Sequence, residues 1–176
     1  MEVMAQIEFT HINNEVFISD VKAVAEQVVQ AGEQPHFVVG VGRGGLVPAV
    51  YLSHRLNVPM LSVDHSSKLF DFADELLLKL AKLTLDGHKL LFIDDINDSG
   101  GTILYLREAM NKNGAVNDNI RFAVLLDNIR SKARVDFTAR NMDRNIDKSW
   151  LIFPWEGMGN QETIEKEANS IPERLA

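Results

Sequence analysis

Nine residues near the middle of the chain combine carboxylates, hydroxyls and glycines, and they follow directly on an apolar run. Residues 90–93 read Leu-Leu-Phe-Ile, and residues 94–102 read Asp-Asp-Ile-Asn-Asp-Ser-Gly-Gly-Thr. A short continuous apolar run is typical of a strand that is buried on both faces. After residue 102, apolar residues recur at helical spacing, at Ile103, Leu106, Ala109 and Met110. The segment therefore predicts a strand, a polar loop and a helix.

The loop has the composition of a phosphate site. Backbone N–H groups at a helix N-terminus point in one direction, where the helix dipole also favours an anion. Gly100 and Gly101 let the backbone approach phosphate oxygens, and the Ser99 and Thr102 hydroxyls can donate further hydrogen bonds. The neighbouring carboxylates suit sugar hydroxyls and Mg²⁺, which binds through one or two carboxylates plus ligand oxygens. A phosphorylated sugar bound together with Mg²⁺ would use all of these groups, although a buried strand followed by an ordinary acidic turn would share the pattern.

Residues 94–102 resemble the phosphoribosyl-pyrophosphate-binding motif of the type I phosphoribosyltransferases. The resemblance implies that Asp98 faces the base and accepts a proton from it as the new C–N bond forms. It also implies that Asp95 contacts the metal. The remaining residues would bind phosphoribosyl pyrophosphate, with the ribose hydroxyls held by Asp94 and Asp95 and the 5′-phosphate held by Ser99, Gly100, Gly101 and Thr102.

Two further segments are similar to parts of the same family. Residues 42–45, Gly-Arg-Gly-Gly, resemble its pyrophosphate loop, in which Arg43 and Gly44 would bind pyrophosphate oxygens. Residues 150–156 resemble the late segment of hypoxanthine and xanthine-guanine phosphoribosyltransferases. There Trp150 would stack on a purine and Leu151 would contact the base edge through its backbone, while Glu156 would help to bind a second metal ion. Trp155 fits either structural packing, in the core or in a lid, or a role at the base.

One position departs from the family. Purine enzymes of this kind usually carry a lysine after the strand that follows the main helix, where it recognises the 6-oxo group of the base. Asn128 occupies that place here and can still donate a side-chain hydrogen bond to the base. Arg130 or Lys132 could supply a cation instead. The sequence therefore leaves open whether hypoxanthine, guanine, xanthine or adenine is preferred.

Composition is that of a soluble globular protein. The chain has 176 residues, no cysteine, 45% hydrophobic residues and a net charge of −7. This length fits a single domain, here residues 1–176 with a core at about 36–157, and zero cysteines exclude disulfides and thiolate metal sites. We expect a cytoplasmic protein that binds neither nucleic acid nor membrane, because it lacks a basic surface, a secretory signal and a long apolar run.

Strands alternate with helices along the chain, which predicts an α/β fold with a mostly parallel sheet and ligands at the carboxyl ends of its strands. Ser19 is a plausible N-cap for the first helix, which would end at Gly32. Residues 64–87 fit either a helix or a packed hairpin, and residues 66–68 lie where the family has a mobile loop. Predicted strands are 37–41, 60–63, 90–93, 120–126, 135–138 and 150–153, and the other predicted helices are 46–56, 103–113 and 162–169.

Taken together, the resemblance implies a type I phosphoribosyltransferase fold with a small hood made by the terminal segments. It implies a Mg²⁺-dependent purine phosphoribosyltransferase of purine salvage, which self-associates and forms a nucleoside monophosphate and pyrophosphate. Two alternatives keep the fold. One is a nucleotide- or phosphoribosyl-pyrophosphate-binding regulator without turnover, and the other is a family enzyme that uses a non-purine base.

Overall fold

The computed structural model of the chain describes residues 7–64 and 70–169. The segment 66–68, predicted to lie at the position of a mobile loop, lies outside the described residues. The strands are β1 (Phe9–His11), β2 (Phe37–Val41), β3 (Met60–Val63), β4 (Leu90–Asn97), β5 (Ile120–Asn128), β6 (Phe137–Met142) and β7 (Trp150–Ile152). The α-helices are α1 (Asn14–Gln30), α2 (Gly42–Leu56), α3 (Phe70–Leu85), α4 (Gly101–Lys112) and α5 (Gln161–Asn169).

Five strands form the main sheet, in the order β3-β2-β4-β5-β6, and every neighbouring pair is parallel. Helices α2, α3 and α4 provide the crossover connections from β2 to β3, from β3 to β4 and from β4 to β5, whereas residues 129–136 join β5 to β6 without a helix. From β2 the chain moves to β3 on one side, whereas from β4 it moves to β5 and β6 on the other. The boundary between β2 and β4 is therefore a topological switch point, where open α/β sheets bind their ligands.

The central strands β2, β4 and β5 are buried on both faces of the sheet, to which successive residues of a strand point in turn. In β4, Leu91 and Ile93 pack with α1 and α2 in one hydrophobic core. Leu90 and Phe92 pack with α3 and α4 in the other core, where Phe92 stacks on Phe122 with ring centroids 5.1 Å apart. The continuous apolar run in the sequence is explained by this burial.

The two ends of the described chain meet in a small second sheet. β1 pairs with β7 in parallel, and Phe9 lies opposite Trp150. The α5 helix follows shortly after β7, and its Glu167 lies 3.6 Å from Arg43 in the first turn of α2. This sheet forms the small hood that was predicted from the terminal segments, and the predicted fold class is confirmed.

Several predicted boundaries are wrong. Helix α1 begins at Asn14 rather than after Ser19, because the Asn13 side chain caps it by accepting from Val16 N at 2.8 Å. Helix α2 begins at Gly42, so the predicted glycine loop is its first turn. Strand β4 continues through both carboxylates to Asn97, and β6 runs to residue 142. Most of the undecided segment is the helix α3.

Among the described residues, no helix combines the length and the apolar character that crossing a membrane would require.

Candidate active site

A cavity of about 580 Å³ opens at the carboxyl ends of the central strands. Residues 94–103, at the end of β4 and the start of α4, form one side of it. The end of β5 and the loop after it contribute Asn128, Arg130 and Lys132, and the loop after β6 contributes Arg144, Asn145 and Lys148. The acidic strand end therefore faces a wall that carries several basic side chains.

The loop between β4 and α4 has the geometry of an anion site. Gly101 is the first residue of α4, and its backbone N–H points to the Ser99 hydroxyl at 3.4 Å. Gly100 caps the helix in a left-handed conformation, with φ of 90°. A Cβ atom at Gly100 would lie 2.6 Å from the backbone nitrogen of Ala133, so only glycine fits here. The first turn of α4 thus borders the cavity, and a helix N-terminus is a suitable place for a phosphate.

Hydrogen bonds between buried polar groups hold this loop against the loop that follows β5. Asn97 Nδ2 donates to Asp127 Oδ1 at 2.6 Å and to the backbone oxygen of Ala133 at 3.0 Å. Ser131 Oγ donates to Asn97 Oδ1 at 2.9 Å. Because these groups are buried and paired with one another, they fix the distance between the two loops.

Carboxylates crowd together at the end of β4. Burial raises the pKa of Asp94 well above its ordinary value, and the negative charges of Asp95 and Glu156 raise it further. A hydrogen bond from the backbone N–H of Asp95, at 3.0 Å, opposes this effect. Asp95 also lies against Gly44 of α2, where a Cβ atom would come within 2.6 Å of its carboxylate. The fold therefore brings the predicted sugar-binding and pyrophosphate-binding segments together.

The Asp98 carboxylate, at the cavity wall, contacts groups from two other loops. Arg144 Nε lies 3.1 Å from Asp98 Oδ1. Asn128 Nδ2 donates to the backbone oxygen of Asp98 at 3.0 Å, while Asn128 Oδ1 accepts from the backbone nitrogens of Arg130 and Arg144. Asn128 thus directs its amide to the protein rather than to the cavity, and its role as a base contact stays a prediction.

The remaining predicted site residues are not among the described residues that line the cavity. Trp150 is partly buried in β7, and the neighbouring Leu151 belongs to the hydrophobic core. Glu156 accepts a hydrogen bond from the backbone nitrogen of Phe153 at 2.9 Å. It also lies near enough to Asp94 for its negative charge to raise the pKa of that residue. Arg43 is 82% exposed and forms the ion pair with α5 described above.

Trp155 belongs to the core. Its ring stacks on Phe153 with centroids 4.9 Å apart and meets Phe17 edge-on at 5.4 Å. The structure shows packing for this residue, because Trp155 is partly buried against the hydrophobic core.

Sequence reasoning missed Arg144, which lies between the predicted strands 135–138 and 150–153. The structure puts it in the cavity wall, two residues beyond the end of β6. Its position shortly after a parallel strand could have identified it, since ligands bind at the carboxyl ends of such strands.

Comparison with known proteins identifies the family. A model of the phosphoribosyl transferase domain matches residues 10–157, which is most of the chain. The protein therefore belongs to the phosphoribosyl transferase family, and the resemblance noted in the sequence is confirmed.

Two relatives with a named activity align with most of the chain at low identity. The chain is 28% identical over 158 residues to a xanthine-guanine phosphoribosyltransferase of Idiomarina loihiensis, an alignment that covers 83% of this chain and 89% of the relative. It is also 28% identical over 124 residues to the Cereibacter sphaeroides protein of the same name, with 68% of each chain covered.

Solved structures share the fold. The Helicobacter pylori xanthine-guanine-hypoxanthine phosphoribosyltransferase superposes with a TM-score of 0.65 at 20% identity, over 93% of this chain and all of the other. The Pyrococcus horikoshii purine phosphoribosyltransferase gives 0.62 at 23% identity, over 84% and 94%. A Neisseria gonorrhoeae protein solved with bound ppGpp gives 0.66 at 19% identity, over 94% and 98%.

Proposed function

We propose that the protein transfers 5-phosphoribose from phosphoribosyl pyrophosphate to a purine base, forming a nucleoside monophosphate and pyrophosphate. One observation carries the proposal: a helix N-terminus suited to phosphate and three carboxylates, Asp94, Asp95 and Asp98, line one cavity at the carboxyl end of β4, the strand that borders the switch point of the sheet. The names of the relatives support a purine as the acceptor.

Different residues would bind the three parts of the donor substrate. The 5′-phosphate would accept hydrogen bonds from the N–H groups of Gly101 and Thr102 and from the hydroxyls of Ser99 and Thr102. Asp94 and Asp95 would accept hydrogen bonds from the ribose hydroxyls. Arg43 and Gly44, which follow β2 on the other side of the switch point, would bind the pyrophosphate.

The transfer forms a bond between a base nitrogen and C1′ of the ribose, and the bond from C1′ to the pyrophosphate oxygen breaks. Pyrophosphate leaves with the electron pair of that bond. The purine then carries an extra proton, which a carboxylate at hydrogen-bonding distance can accept. Asp98 would take this role, while Trp150 would stack on the purine ring and Leu151 would contact its edge through the backbone.

Mg²⁺ fits the acidic end of the site, where Asp95 would hold one ion and Glu156 would help to hold a second. The raised pKa of Asp94, caused in part by these two neighbours, shows that negative charges are crowded there, and a divalent cation would relieve the crowding. Within residues 7–64 and 70–169, no group of three or more His, Cys, Asp or Glu forms a ready-made metal site. That is compatible with Mg²⁺, which uses one or two carboxylates together with substrate oxygens. When bound, the ion would neutralise charge on the departing pyrophosphate.

One observation favours a second candidate, a nucleotide-binding regulator without turnover. Asn128 replaces the family's base-recognising lysine, and its amide is engaged with the protein. The structural relative with bound ppGpp is in keeping with guanine nucleotides as ligands of this fold. A cytoplasmic location and self-association remain part of the proposal for either candidate.

The experiment is pyrophosphate release from phosphoribosyl pyrophosphate and Mg²⁺, with hypoxanthine, guanine, xanthine, adenine, uracil and orotate offered separately. Release with one or more of the four purines, reduced roughly 100-fold by Asp98→Asn, is expected. Release only with a pyrimidine would contradict the assignment of the acceptor. No release with any base, from protein that binds phosphoribosyl pyrophosphate, would favour the regulator.

A further inference from the structure

Arg144 is a buried cation in the wall of the cavity. Its side chain is only 10% exposed, and its Nε group lies 3.1 Å from Asp98 Oδ1. Its Nη1 group donates to the backbone oxygen of Ser149 at 2.7 Å and to that of Asp147 at 3.3 Å. These contacts fix the plane of the guanidinium, and with it the direction from which it meets Asp98.

The loop that carries Arg144 is itself held in place. The side chain of Asp143 accepts hydrogen bonds from Arg130 and from the backbone nitrogen of Asn145, at 3.0 Å and 2.9 Å. Asn128 Oδ1 accepts from the backbone nitrogen of Arg144 at 3.3 Å. A flexible surface arginine would lack this support, so the position of Arg144 relative to Asp98 is a built feature of the site.

The guanidinium also carries a group that the folded protein does not satisfy. Arg144 Nη2 is buried and has no hydrogen-bond partner in the part of the chain that the structure describes. A buried donor without an acceptor destabilises a protein. A contribution to stability therefore does not explain why an arginine occupies this position, whereas a role in the reaction does.

We propose that Arg144 is a positioning residue for the transfer reaction and acts through Asp98. This inference rests on the proposed function. A carboxylate that accepts a proton from the purine must be aligned with it, and small misalignments cost much of the rate. A guanidinium stays charged and holds a fixed geometry, so it restricts the rotation of Asp98 and balances its charge. The positive charge beside the base would then come from the loop after β6, since Asn128 occupies the place of the family's lysine.

The test is a double-mutant cycle of Arg144→Met and Asp98→Asn, measured as kcat and as KM for phosphoribosyl pyrophosphate with the preferred purine. Arg144→Met alone is expected to lower kcat at least about tenfold while KM changes less than about twofold. In the Asp98→Asn background the same change is expected to have almost no further effect, because its target is already gone. Arg144→Lys should restore part of kcat.

A matched control is available on β6. Arg140 forms an ion pair with Asp20 at 2.7 Å, between β6 and α1 and away from the cavity. Arg140→Met removes a comparable pair, so it is expected to lower the melting temperature and leave kcat per folded molecule unchanged. If Arg144→Met does not fold, Arg144→Gln replaces it in the cycle, since it keeps a donor without the charge.

The outcomes are distinguishable. If the wild-type protein forms no nucleotide from any purine, the proposed function fails and this inference fails with it. If the wild type turns over while Arg144→Met keeps its kcat, or if the losses from the two substitutions simply multiply, the inference alone is overturned. A tenfold loss that disappears in the Asp98→Asn background supports it.

Discussion

Replacing Gly100 by alanine tests the geometry of the phosphate loop. Two costs follow from the structure. Gly100 has φ of 90°, and a left-handed conformation costs an alanine roughly 1–2 kcal/mol. The new Cβ atom would also lie 2.6 Å from Ala133 N and 2.7 Å from Ser131 Oγ, an overlap of the kind that typically costs about 1–3 kcal/mol.

The free energy of unfolding should therefore fall by roughly 2–5 kcal/mol, which for a protein of this length lowers the melting temperature by roughly 5–15 °C. Relief of the overlap would push the loop after β5 away from α4. The KM for phosphoribosyl pyrophosphate should consequently rise. Thermal melting, urea denaturation and steady-state kinetics measure these effects on the same preparation.

Two other glycines separate the two costs. Gly114 has φ of 77° but nothing within 4 Å of a Cβ, so Gly114→Ala should cost only the conformational part, roughly 1–2 kcal/mol. At Gly101 a Cβ would meet only Ser99 Oγ, at 3.5 Å, and alanine there should leave stability close to that of the wild type. The reasoning is refuted if Gly100→Ala melts no lower than Gly114→Ala.

Three further predictions concern the acidic end of β4, the hood and the polar network. The raised pKa of Asp94 means that the folded protein binds a proton there more tightly than the unfolded chain does. Ionisation of Asp94 therefore lowers the free energy of unfolding as pH rises from the ordinary pKa of 3.8 through the raised pKa. Asp94→Asn should raise the melting temperature by a few degrees near neutral pH but not below pH 3.8, and it should impair catalysis. Trp155→Ala should destabilise the protein by about 3 kcal/mol with kcat retained. Trp150→Ala should instead raise the KM for the purine, since stacking of a base on an aromatic ring is worth about 1–3 kcal/mol. Equal effects of the two substitutions on the purine KM would contradict the assignment of Trp150 to the base and Trp155 to packing. Asn97→Ala should cost about 1–3 kcal/mol in urea denaturation because it removes the amide that donates to the buried carboxylate of Asp127, and an unchanged midpoint would show that the network does not stabilise the fold.

The fold was predictable because its strongest signals are periodic and local. The apolar runs at 37–41 and 90–93 mark strands buried on both faces, and each strand leads to a helix whose first residue is a glycine. Element boundaries were less predictable. Asn13 and Ser19 are both good N-caps, and the choice between them depends on Phe17, which packs in the core and belongs to the helix. Strand β1 could not be found from three residues, since it pairs with β7 near the other end of the chain.

The candidate site was predictable where its residues are contiguous in sequence. Residues 94–102 line one cavity because a single strand, loop and helix carry them. The contacts of Asp98 were not predictable, because Asn128 ends strand β5 and Arg144 lies in the loop after β6. Their meeting depends on the order of β4, β5 and β6 in the sheet, which sequence spacing does not encode.

The most direct measurement of the central claim is the identity of the product. The protein would be incubated with phosphoribosyl pyrophosphate, Mg²⁺ and hypoxanthine, guanine or xanthine, and both nucleotide and pyrophosphate would be quantified by chromatography and mass spectrometry. The account predicts a purine nucleoside 5′-monophosphate formed in equal amount to pyrophosphate, and little of either with Asp98→Asn. Pyrophosphate without nucleotide, or no product from any purine, would contradict it.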